Sequence, residues 1–180
     1  MDKKYIENIT NWIIRKKNVK FPMKFSSLMK EYPYIKVFIT EGKSLRKNDI
    51  SWLVKQIKDK EYEIYLNKDE SVQRMAFTLA HELWHIILDH FHEAKENDFF
   101  IDVMNRDSSS ISGLWNEQKN QQFETEANYF AACLLMPEEE VKKQWKISPQ
   151  ISELSRYFNV SEAAMSIRIM NLWLLNNKWA

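Results

Sequence analysis

The run His81-Glu82-Leu83-Trp84-His85 constrains this chain more than any other part of it. It lies in a stretch where Val72, Met75, Ala76, Leu79, Leu83, Ile86 and Ile87 recur at helical spacing. On a helix, residues four apart sit about 40° apart around the axis and about 6 Å apart along it. His81 and His85 can therefore turn two imidazoles toward one metal ion. Glu82, about 100° round from His81, can reach a water on that ion. Two histidines and a carboxylate are costly to bury on an apolar helix without a task. Asn67, Asp69 and Ser71 are candidate N-caps upstream, and Glu70 suits a first turn.

One turn leaves a metal short of ligands, since catalytic zinc takes three protein ligands and a water. His90 is about 140° round from His85 and faces elsewhere. His92 returns to the same face but stands about 10 Å further along the axis. Both read as helix-end residues. A second helix-patterned segment runs from Phe123 to Pro137, with Phe123, Ala127, Phe130, Ala131, Leu134 and Leu135 on one side. Glu124 and Asn128 share a face of it, and Glu126 points about 160° away from Asn128. Such a helix can offer Glu124 to the metal and Asn128 as the partner that orients a ligand imidazole. Spacing alone leaves Glu124 equally open to being a solvated surface carboxylate.

Two blocks together resemble the ImmA/IrrE family of metallopeptidases. One is Arg74-Met75-Ala76-Phe77-Thr78-Leu79-Ala80-His81-Glu82-Leu83-Trp84-His85-Ile86-Ile87-Leu88. The other is Glu124-Thr125-Glu126-Ala127-Asn128-Tyr129-Phe130-Ala131-Ala132-Cys133-Leu134-Leu135-Met136-Pro137. The second is the more diagnostic, because HExxH occurs in many unrelated peptidases. The resemblance spans roughly residues 30–175. It implies that His81, His85 and Glu124 bind one Zn2+ per chain and that Glu82 is the general base. It also implies a protein substrate, a helix-turn-helix repressor of a prophage or mobile element, whose cleavage relieves repression. A catalytically weak version would instead sequester a repressor or antitoxin. Two positions depart from the family pattern: Trp84 stands where glycine is usual, and Ala76 where phenylalanine is usual. Residue types alone do not choose zinc over manganese, iron or cobalt for a two-His, one-carboxylate set. An oxyanion-stabilising group is also needed; Tyr129 and the 93–122 segment are the places to look.

Length and composition bound the rest. At 180 residues with 44% hydrophobic content, the chain can bury one sizeable core. The expectation is an α+β fold: a mostly helical, zincin-like domain with a small antiparallel sheet and a C-terminal helical pair. It would be a stand-alone domain over residues 1–180, with a catalytic core at about 30–145 and the helical pair at about 150–176. The one cysteine, Cys133, excludes an internal disulfide and reads as a small buried residue. Charges near the N-terminus exclude a signal peptide, and no run is apolar enough to span a membrane. A cytoplasmic protein with no membrane partner is expected.

Residues 1–60 hold 15 Lys/Arg against 6 Asp/Glu, and residues 61–180 hold 11 against 19, so +9 faces −8. No aromatic or glycine motif interleaves with the lysines, so a solvated basic face is favoured over a nucleic-acid site. Residues 3–16 predict an amphipathic helix with Tyr5, Ile6, Ile9, Trp12 and Ile13 on one side. A short helix follows Pro22. Strands are expected at Tyr34–Thr40, around Ile50, Trp52 and Val54, and around Tyr62, Ile64 and Leu66, the last two joined as a hairpin. The 93–122 segment reads as a loop with a short element, and Pro137 as the first residue of a further helix. Two helices joined by Asn159-Val160-Ser161 suggest a helix-turn-helix, but Arg168 is the only basic residue its second helix offers before Lys178. Packing against the core is the favoured role, with no direct nucleic-acid contact.

Overall fold

A computed structural model describes residues 2–41, 50–58, 60–88, 101–105 and 117–175. Among these residues the helices are α1 (Lys3–Lys16), α2 (Phe25–Met29), α3 (Val72–Ile87), α4 (Glu117–Leu135), α5 (Glu138–Ile147), α6 (Ile151–Phe158) and α7 (Glu162–Asn171). The strands are β1 (Ile35–Thr40), β2 (Ile50–Lys58), β3 (Glu61–Asn67) and β4 (Ile101–Asn105). This is the expected mostly helical α+β fold.

The sheet has the order β1-β3-β2-β4. β2 and β3 form the expected antiparallel hairpin, with Lys58 opposite Glu61. Lys60 takes a left-handed φ of 61°, as a tight hairpin turn requires. The sheet is not purely antiparallel, however: β1 runs parallel to β3, with Ile35 opposite Tyr62 and Thr40 opposite Asn67. Alternation reports which face a strand buries but not the direction of its neighbour, so the sequence pattern missed this. Tyr62, Ile64 and Leu66 of β3 are buried, on the period of two that strand geometry imposes. β4 pairs antiparallel with β2 and is the short element expected within 93–122; residues 93–100 and 106–116 lie outside the described residues, as do His90 and His92.

Ser71 is the N-cap of α3, accepting from the Arg74 amide, so Glu70 falls before the helix rather than in its first turn. Pro137 is likewise the residue before α5, with Glu138, Glu139 and Glu140 in the first turn near the positive helix end. On α1, Ile6 and Ile13 are buried, but Tyr5 and Trp12 are exposed, so the buried stripe is narrower than the sequence pattern suggested. Tyr5 and Trp12 sit on the flanks of that stripe, where a large ring can lie along the surface.

α3 and α4 pack closely, and Trp84 lies between them. It is fully buried and stacks on Phe130 of α4, with ring centroids 4.7 Å apart and planes at 29°. An indole and a matching aromatic thus fill the space between the two helices. The indole N–H has no hydrogen-bond partner among the described residues. Trp84→Ala should therefore cost roughly 3–5 kcal/mol of stability, as truncation of a buried aromatic does. Trp84→Phe, which keeps a stacked ring and removes a buried donor, should cost far less. Urea denaturation midpoints check this; an alanine variant within about 1 kcal/mol of the parent would contradict it.

Candidate metal centre

α3 and α4 run antiparallel, and their side chains meet as rungs. His85 Nε2 lies 3.6 Å from Glu124 Oε1, and one turn back His81 Nδ1 lies 3.1 Å from Asn128 Oδ1. His81 Nε2 also lies 3.2 Å from Glu124 Oε2 and 3.1 Å from His85 Nε2. The helical period explains the grouping. A step of four residues on each helix, taken in opposite directions, keeps both faces turned toward one another. Ligand atoms of His81, His85 and Glu124 all fall within 4.8 Å of one another.

The donor chemistry fits a cation. An amide oxygen only accepts, so Asn128 Oδ1 holds the imidazole proton of His81 on Nδ1 and leaves Nε2 with a lone pair. That lone pair faces a second imidazole nitrogen and a carboxylate oxygen. Each of these three atoms can offer a lone pair to one cation. Tetrahedral ligands about 2.0–2.1 Å from zinc stand about 3.3 Å apart. His81 Nε2 stands 3.1 Å from His85 Nε2 and 3.2 Å from Glu124 Oε2, close to that value. His81 and His85 are buried, whereas the Glu124 side chain is 27% exposed, so the group opens to solvent on the carboxylate side.

Glu82, on the same turn of α3, is completely buried. Glu126 is also buried, but it accepts a hydrogen bond from Gln122 on its own helix and does not join the histidines. Tyr129, considered for the oxyanion, donates its hydroxyl to Glu7 of α1 at 2.5 Å. Burial, then the bond to Glu7, push its pKa up, so it stays protonated and engaged away from the imidazoles. Burial likewise pushes the Cys133 thiol up, which suits an inert core residue. Arg168, the one basic residue of the would-be recognition helix, is buried and donates through Nε to the Met136 carbonyl at 2.9 Å. It is thereby part of the core and is not presented to a phosphate backbone. Phe77 is a neighbour that the motif reading overlooked. Its ring centroid lies 6.5 Å from that of His81, and its place one turn before the first histidine was the signal available.

Titration of the apo-protein with Zn2+ should give one equivalent bound per chain, and His81→Ala should abolish it. Asn128→Ala should weaken binding by roughly 10–100-fold, because the imidazole loses its orienting acceptor. Isothermal calorimetry reads both; an Asn128→Ala protein with parental affinity would remove the orienting role.

Comparison with known proteins comes down to a family and a fold. The model of the IrrE N-terminal-like domain, Peptidase_M78, matches residues 35–170. No curated protein matches the chain. Among solved structures, the chain is similar to a Mycobacterium tuberculosis transcriptional regulator, with a TM-score of 0.65 at 15% identity. The match covers 92% of this chain and 46% of that one, so this chain spans about half the length of that relative. At this identity the likeness is one of fold. The family match takes in β1, both helices of the metal centre and most of α7, and on that extent the chain belongs to the IrrE N-terminal-like family of metallopeptidase-like domains.

Proposed function

We propose that the chain is a metal-dependent endopeptidase that cuts a protein substrate. The observation that carries this reading is the convergence of His81, His85 and Glu124, with Glu82 on the same helical turn as the two histidines. A divalent ion held by the three would supply a Lewis acid that acidifies a water and polarises a peptide carbonyl. The protein side of the reaction falls to Glu82. Its carboxylate takes a proton from the attacking water as the O–C bond forms. It then returns the proton to the nitrogen of the leaving amine as the C–N bond breaks. Asn128 keeps His81 in the tautomer that presents the Nε2 lone pair to a metal. The partly exposed Glu124 marks the side from which an extended chain approaches.

The substrate is proposed to be a helix-turn-helix repressor of a mobile element, so that cleavage lifts repression in the cytoplasm; the ImmA/IrrE resemblance supports this. No described helix is long and apolar enough to cross a membrane. The whole chain acts as a single domain in this proposal, with the C-terminal helices completing the core. Co-expression with a candidate helix-turn-helix repressor, followed by intact-mass measurement, tests the reading. The parent should cut it. Glu82→Gln should keep its fold and bound metal yet lose roughly 100-fold or more in cleavage rate. Undiminished cleavage by that variant would exclude Glu82 as the base. A repressor that is retained but never cut would favour sequestration.

A further inference from the structure

The rungs between α3 and α4 continue past the metal centre. His85 meets Glu124 and His81 meets Asn128, so the next step of the same ladder brings Phe77 toward Ala132. Both line an open cavity of about 560 Å3, to which α7 contributes Ala164, Ile167 and Arg168. Asn128 borders the cavity while contacting His81, so the cavity begins where the ligand set ends. Leu135 adds to a largely apolar lining. The Nε of Arg168 is bonded to the Met136 carbonyl and braces the wall.

Distance decides what such a cavity can receive. Phe77 is one helical step, about 6 Å, from His81, and Arg74 at the rim is about 10 Å away. An extended peptide advances about 3.3 Å per residue. A chain with its scissile carbonyl at the histidines therefore carries a side chain into the cavity two or three residues away. The volume lies in the range of pockets that enclose small ligands, ample for a large apolar side chain and its adjoining backbone.

We propose, resting on the peptidase reading, that this cavity is a specificity pocket for a leucine, methionine or phenylalanine side chain of the substrate, two or three residues from the cut bond. Two measurements test it. In the first, zinc-loaded full-length protein with labelled alanine methyls is titrated with acetyl-leucine amide and, separately, acetyl-serine amide. The Ala132 and Ala164 methyl resonances should move at least five-fold further with the leucine amide. Methyls that respond to neither amide, or to both equally, overturn the pocket whatever the protein cleaves.

In the second, cleavage of a mixed peptide library is profiled. The parent should prefer Leu, Met or Phe at one position two or three residues from the cut. Ala164→Trp, which fills the cavity, should flatten that preference at least five-fold. Ile167→Glu, at a surface-exposed wall position that folding tolerates, should do the same. A profile without the preference, or one that both variants leave intact, overturns the proposal. Leucine-amide binding at the two methyls with no peptide cut supports the apolar site and overturns the peptidase reading instead.

Discussion

The antiparallel contact between α3 and α4 is the constraint on which the rest of the molecule depends. It sets His85 against Glu124 and His81 against Asn128. Rotation of either helix by one residue would turn its ligands about 100° away and disperse the set. The Trp84–Phe130 stack stands against such rotation, because two large buried rings interlock only at one register. A polar site of buried imidazoles is therefore held by an apolar contact next to it.

α4 is braced from two further sides. α1 packs along it, with Glu7 accepting from Tyr129 and Lys3 lying over the Tyr129 ring at 5.3 Å. α7 reaches its C-terminal end through Arg168, which satisfies the Met136 carbonyl just past the helix. A buried guanidinium is tolerated where its donors find acceptors, and an exposed helix carbonyl needs a donor. The C-terminal pair is thus part of the core. Asn159 caps α6 in the left-handed conformation and Ser161 caps α7, which fixes the turn between them. The same turn chemistry suggests a helix-turn-helix in sequence, but the buried Arg168 leaves that helix without its basic contact.

Much of the local structure was legible in the residues. The bounds of α1, the β2–β3 hairpin and the helical setting of His81 and His85 follow from periodicity and capping, because those signals act over a few residues. The choice between Glu124 and Glu126 was also legible as a matter of facing, since 100° per residue places only one of them beside Asn128. Direction and partnership were not legible. Whether β1 runs with or against β3 leaves the alternation unchanged. Whether Tyr129 serves the metal centre or α1 depends on a glutamate 122 residues away in the chain.

The sequence by itself determined which residues could offer ligand atoms to a metal and which helices present them, because helical spacing converts residue identity into a face. Only the tertiary structure decided that the two faces meet, that the Trp84 indole stacks on Phe130, and that Phe77 and Ala132 border a cavity lined also by α7. Those outcomes depend on how separate elements pack, and packing answers to volume and shape summed over the whole core rather than to any local pattern.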